Sequence, residues 1–67
     1  MEKIESINIS NLPSGKVGLN ARVTLEGVEV GRIFAKTNSV SEAYQIIQDA
    51  ESDPTSSPHY YPKSVEA

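Results

Sequence analysis

The single histidine, His59, stands between Pro58 and Pro62 in a polar, proline-containing stretch. A general base needs a neighbour that positions it. Nothing in this stretch supplies one, so His59 reads as a solvated side chain. The carboxylates are equally unpromising for catalysis. Glu26 and Glu29 flank a turn, and Glu42 is accounted for by helix capping. Asp49, Glu51 and Asp53 gather at the C-terminal end of a helix, where the macrodipole disfavours negative charge, and read as a solvated acidic edge rather than a cation site. Gly15, Gly18, Gly27 and Gly31 match neither of the phosphate-binding spacings. There is no cysteine, hence no disulfide framework and no thiolate metal site. The sequence therefore points away from an enzyme, and calls for no cofactor and no metal.

Binding chemistry is better represented. Lys16, Asn20, Arg22, Arg32, Phe34 and Lys36 fall where strand alternation sends side chains to one outer surface, and Tyr60 and Tyr61 follow in the tail. An aromatic ring among cations on an open sheet suits base stacking and phosphate contact. The same pairing of aromatic and arginine characterises the energetic centre of many protein interfaces. The plain alternative is a solvated face on which Lys and Arg stems cover one ring. Pro58-His59-Tyr60-Tyr61-Pro62 reads either as an extended recognition segment or as a flap folded back over an edge strand.

These residues depend on the elements that hold them. Val17, Leu19, Ala21, Val23 and Leu25 occupy every second position, the signature of a strand with one buried face. Ile7 and Ile9 suggest a strand over residues 5–10, with Ile4 on the other parity. Glu26-Gly27 is a two-residue hairpin connection into Val28-Glu29-Val30. Strict pairing beyond it would bury Arg32 and expose Ile33. A bulge at Gly31 repairs this, sending Ile33 and Ala35 inward and Arg32, Phe34 and Lys36 outward. The alternative register buries Phe34 and leaves Arg32 to reach water at an edge.

Ser39 and Glu42 form a capping box, S-x-x-E, ahead of an apolar stripe of Val40, Ala43, Tyr44, Ile47 and Ala50, with Ile46 at its border. Residues 53–58 read as linker. The expected architecture is α+β: a three-stranded antiparallel β-meander packed against one C-terminal α-helix (β-β-β-α), with a mostly irregular tail. The domain is placed at residues 1–52 and the proline-containing tail at 53–67. At pattern level, residues 20–51 resemble the integrase arm-binding class of DNA-binding domains and the latter part of double-stranded-RNA-binding domains. Those families are richly basic, whereas no Lys or Arg occurs here between Thr37 and Ser57, so no functional residue carries over.

Size and charge set the frame. A chain of 67 residues buries a modest share of its surface and is marginal alone, which makes a second copy of itself a reasonable partner. The net charge of −3 gives no overall attraction to nucleic acid or anionic membrane. The absence of cysteine, of a signal-peptide pattern and of a membrane-length apolar run suggests a cytoplasmic protein. The reading is a small protein-binding module: an accessory, regulator or inhibitor of a larger machine, of a build common in phage and mobile elements. Nucleic-acid binding through the outer sheet face is the second reading.

Overall fold

The computed structural model describes residues 1–63. Three long strands, β1 (Glu2–Asn11), β2 (Val17–Leu25) and β3 (Val28–Thr37), lead into helix α1 (Val40–Ala50). A 3₁₀ turn (Pro54–Ser56) and a short strand β4 (Tyr60–Pro62) follow. The four strands form one antiparallel sheet in chain order. The α+β meander with one helix is as expected; the tail adds a fourth strand to it.

The alternation of β2 fixes the core. Val17, Leu19, Ala21 and Val23 are buried together with Ile33 and Ala35 of β3, and with Ala43, Ile47 and Ala50 of α1. Glu26 and Gly27 both adopt positive φ (52° and 84°), as a two-residue primed turn requires. Pairing then runs Leu25 with Val28, Thr24 with Glu29, and Val23 with Gly31, so Val30 is the extra residue. The parity change expected at Gly31 thus occurs one residue earlier, with the expected effect. Ile33 is fully buried and Phe34 is 45% exposed. Val28, at the hairpin tip, stays in water.

A second irregularity lies in β1. Between the pairs Glu5–Arg22 and Asn8–Asn20 the strand gains one residue, with Ser6 at φ 54°. That extra residue puts Ile4 and Ile9 against the core, and Ile7 remains exposed. The expected pairing of Ile7 with Ile9 on a buried face is corrected accordingly.

Helix α1 starts as its sequence specifies. The Ser39 hydroxyl accepts the Glu42 N–H at 3.2 Å, and the Glu42 carboxylate accepts the Asn38 N–H at 2.9 Å. The buried stripe is narrower than the spacing suggests. Ala43, Ile46, Ile47 and Ala50 meet the sheet, whereas Val40 and Tyr44 face water, Tyr44 at 55% exposure.

The segment expected to be linker is built into the fold. Pro54 is among the fully buried side chains. The Asp53 carboxylate accepts the hydroxyls of Ser56 (2.7 Å) and Thr55 (3.2 Å), which shapes the 3₁₀ turn. Beyond it the Phe34 N–H donates to the His59 carbonyl at 3.1 Å and the Lys63 N–H to the Val30 carbonyl at 2.9 Å, clamping β4 to β3. Tyr60 lies over Gly31: a Cβ there would meet its ring at 2.5 Å. The Tyr60 hydroxyl donates to the Val30 carbonyl at 3.0 Å. Gly31 is needed for this close approach of the ring. Among the described residues no helix is long and apolar enough to cross a membrane.

Candidate functional site

Register places the outward side chains in rows. Glu5, Arg22, Arg32 and Tyr61 stand opposite one another across β1, β2, β3 and β4. The neighbouring row holds Asn8, Asn20 and Phe34, and the next Ser10, Gly18 and Lys36. Arg32, Phe34, Tyr61 and Asn20 together line a shallow depression open to solvent. Phe34 is 45% and Tyr61 57% exposed, large areas for rings attached to ordered strands.

Two guanidinium groups opposed on adjacent strands repel. The repulsion is relieved by Glu29, whose carboxylate lies 3.9 Å from Arg22 Nε and 3.5 Å from Arg32 Nε. Arg22 has further partners. Its Nη2 donates to the Ser6 hydroxyl at 2.7 Å, and Glu5 stands opposite it on β1. Glu5 in turn accepts the Thr24 hydroxyl at 2.5 Å. Arg22 is thus held on both sides, while Arg32 has the shorter contact to Glu29 and otherwise borders the depression with Phe34 and Tyr61. Such exposed ion pairs contribute at most about 1 kcal/mol each to stability. Their effect is to set the local charge pattern rather than to hold the fold.

The proposed binding residues therefore divide. Asn20, Arg32, Phe34 and Tyr61 are brought together, and Arg22 and Lys36 flank them on the same face. Lys16 lies in the loop before β2, where its ammonium donates to the Asn38 side chain at 2.6 Å and ties that loop to the entry of α1. Tyr60 packs on the opposite, core-facing side. Strand alternation within Tyr60-Tyr61 could have separated the two rings, had the tail been recognised as a strand. Glu5 and Glu29 are the face residues that sequence reasoning passed over. Glu29 reads from sequence as a turn-flanking carboxylate, and Glu5 belongs to a strand whose register the sequence leaves open, yet both project beside the arginines.

Elsewhere the chemistry is sparse. Asp49 accepts the Gln45 side-chain amide at 2.9 Å, and Asp53 is occupied with its two hydroxyls. Among the described residues no group of three His, Asp or Glu side chains is arranged to hold a metal ion. Comparison with protein-family models, curated proteins and solved structures gives no match.

Proposed function

We propose that this chain is a small non-enzymatic protein-binding module, an accessory, regulator or inhibitor that engages a larger protein in the cytoplasm through the outer face of its sheet. The observation that carries the reading is the depression around Arg32, with Phe34 and Tyr61 half-exposed beside it. Aromatic and arginine side chains dominate the energetics of protein interfaces, and rings fixed on strands lose little freedom on binding. The β3 ring is held by a strand hydrogen-bonded on both sides, and the β4 ring by a strand clamped at both ends.

Nucleic-acid binding is supported less well. It draws on several cations aligned along a backbone. Here Arg22 is engaged by Ser6 and Glu29, Lys16 by Asn38, and Glu5 and Glu29 add negative charge to the same face. Self-association also loses part of its motive, because Pro54 and Tyr60 supply burial that a second copy would otherwise provide.

A pull-down with the tagged chain from nuclease-treated lysate at moderate salt tests the reading. Retention of a discrete polypeptide by the wild type, abolished by Phe34→Ala, is the expected result. Capture that disappears with nuclease, or that is indifferent to both Phe34→Ala and Tyr61→Ala, would overturn it.

A further inference from the structure

The depression has a chemical polarity that narrows its occupant. Acidic side chains are unevenly distributed about the two opposed arginines. Arg22 has Glu5 opposite it, the Ser6 hydroxyl at 2.7 Å and a share of Glu29. Arg32, among the described residues, has one ionic contact, from Nε to Glu29 at 3.5 Å, and its side chain is 57% exposed. Its other neighbours at the depression are Phe34, Tyr61 and the Asn20 amide. An arginine whose one ion pair is made through Nε, leaving its two terminal nitrogens without a partner among the described residues and beside two rings, presents donor capacity for one more planar acceptor. The rings offer apolar area immediately beside it.

We propose that the depression recognises a peptide segment carrying a carboxylate next to an aromatic side chain, with the carboxylate on Arg32 and the aromatic ring on Phe34 and Tyr61. Asn20, which can both donate and accept, is placed to bond the segment's backbone amides. The charge complement is one acceptor for one guanidinium. A polyphosphate would instead place further negative charges against Glu29 and Glu5 on the same face, while Lys36, the other cation there without a polar contact among the described residues, stands two rows away from Arg32. This inference rests on the protein-binding reading and specifies the partner's chemistry within it.

The test uses the full chain labelled with ¹⁵N and three probes, followed by amide chemical shifts. The probes are acetyl-Glu-Phe-amide, its isosteric neutral counterpart acetyl-Gln-Phe-amide, and an oligothymidylate of eight nucleotides. The carboxylate dipeptide is expected to shift amides around Asn20, Arg32, Phe34 and Tyr61. The glutamine dipeptide should bind about two- to fivefold more weakly, the effect of an exposed charge-assisted contact. Arg32→Gln should remove that difference while leaving the spectrum of the unliganded fold otherwise intact, and Phe34→Ala should weaken both dipeptides. Equal binding of the two dipeptides would overturn the carboxylate assignment while leaving an apolar protein-binding face standing. Binding of the oligonucleotide with neither dipeptide would overturn both readings. No localised shift with any probe would overturn the carboxylate–aromatic assignment alone, leaving the pull-down to decide the broader function.

Discussion

The two faces of one sheet obey different rules. On the inner face, Leu19, Ala21, Val23, Ile33 and Ala35 are nearly inaccessible and interlock with Ala43, Ile47 and Ala50 of α1 and with Tyr60 over Gly31. On the outer face, Arg22, Arg32, Phe34 and Tyr61 remain accessible, and two like charges are set opposite each other. The inner face is satisfied by its own chain. The outer face carries two opposed arginines bridged by Glu29 and two uncovered rings, features that folding does not call for. On the proposed reading, stability and recognition are separated by the thickness of a strand, so substitutions one residue apart should have unlike consequences.

The sharpest break comes at the neighbouring positions 33 and 34. Ile33→Ala removes fully buried methylenes and is expected to cost about 2–5 kcal/mol in urea unfolding. Phe34→Ala should cost less than about 1 kcal/mol, because its ring is half in water, while abolishing capture of the partner. A smaller effect distinguishes the two sheet glycines. Gly31→Ala drives a methyl into the Tyr60 ring and should cost about 1–3 kcal/mol. At Gly18 the nearest atom is the end of the Leu12 side chain, at 3.1 Å, which can move aside, so Gly18→Ala should cost markedly less. In a Tyr60→Ala background the penalty of Gly31→Ala should largely vanish, a coupling that a double-mutant cycle reads directly. The least effect is expected from Arg22→Gln, within about 0.5 kcal/mol of wild type, since it trades one long exposed ion pair and a hydrogen bond to Ser6 for relief of repulsion from Arg32.

The inner face was legible in sequence where alternation was unbroken. Val17–Leu25 announced the central strand, and the cost of turning Arg32 inward favoured a change of parity in β3 over the strict register. The location of that change was one residue off because Gly31 has two available explanations. A glycine can ease a bulge or make room for a neighbour, and only the folded tail reveals the Tyr60 ring above it. The β1 irregularity at Ser6 left no trace, since that strand is mostly polar and its few isoleucines fit more than one register. The tail was unreadable for a physical reason. Proline-rich composition describes a chain that cannot form a long element, and it is silent on whether Pro54 finds a hole in the core or Tyr60–Pro62 finds an edge. On the outer face, Asn20, Arg32 and Phe34 followed from parity and composition and Tyr61 from composition alone, whereas the position of Glu29 required knowing that the bulge leaves it beside both arginines.

The separation of the faces is tested most directly by urea unfolding of Tyr60→Ala and Tyr61→Ala side by side. The two residues are adjacent in β4 and chemically identical, yet one packs on the core and the other borders the depression. Tyr60→Ala is expected to lose about 1–3 kcal/mol of stability, from lost apolar burial and the lost bond to Val30, and Tyr61→Ala to stay within about 0.5 kcal/mol of wild type. Equal destabilisation by the two substitutions, or a greater loss from Tyr61→Ala, would contradict the division of the sheet into a face that holds the fold and a face that meets a partner.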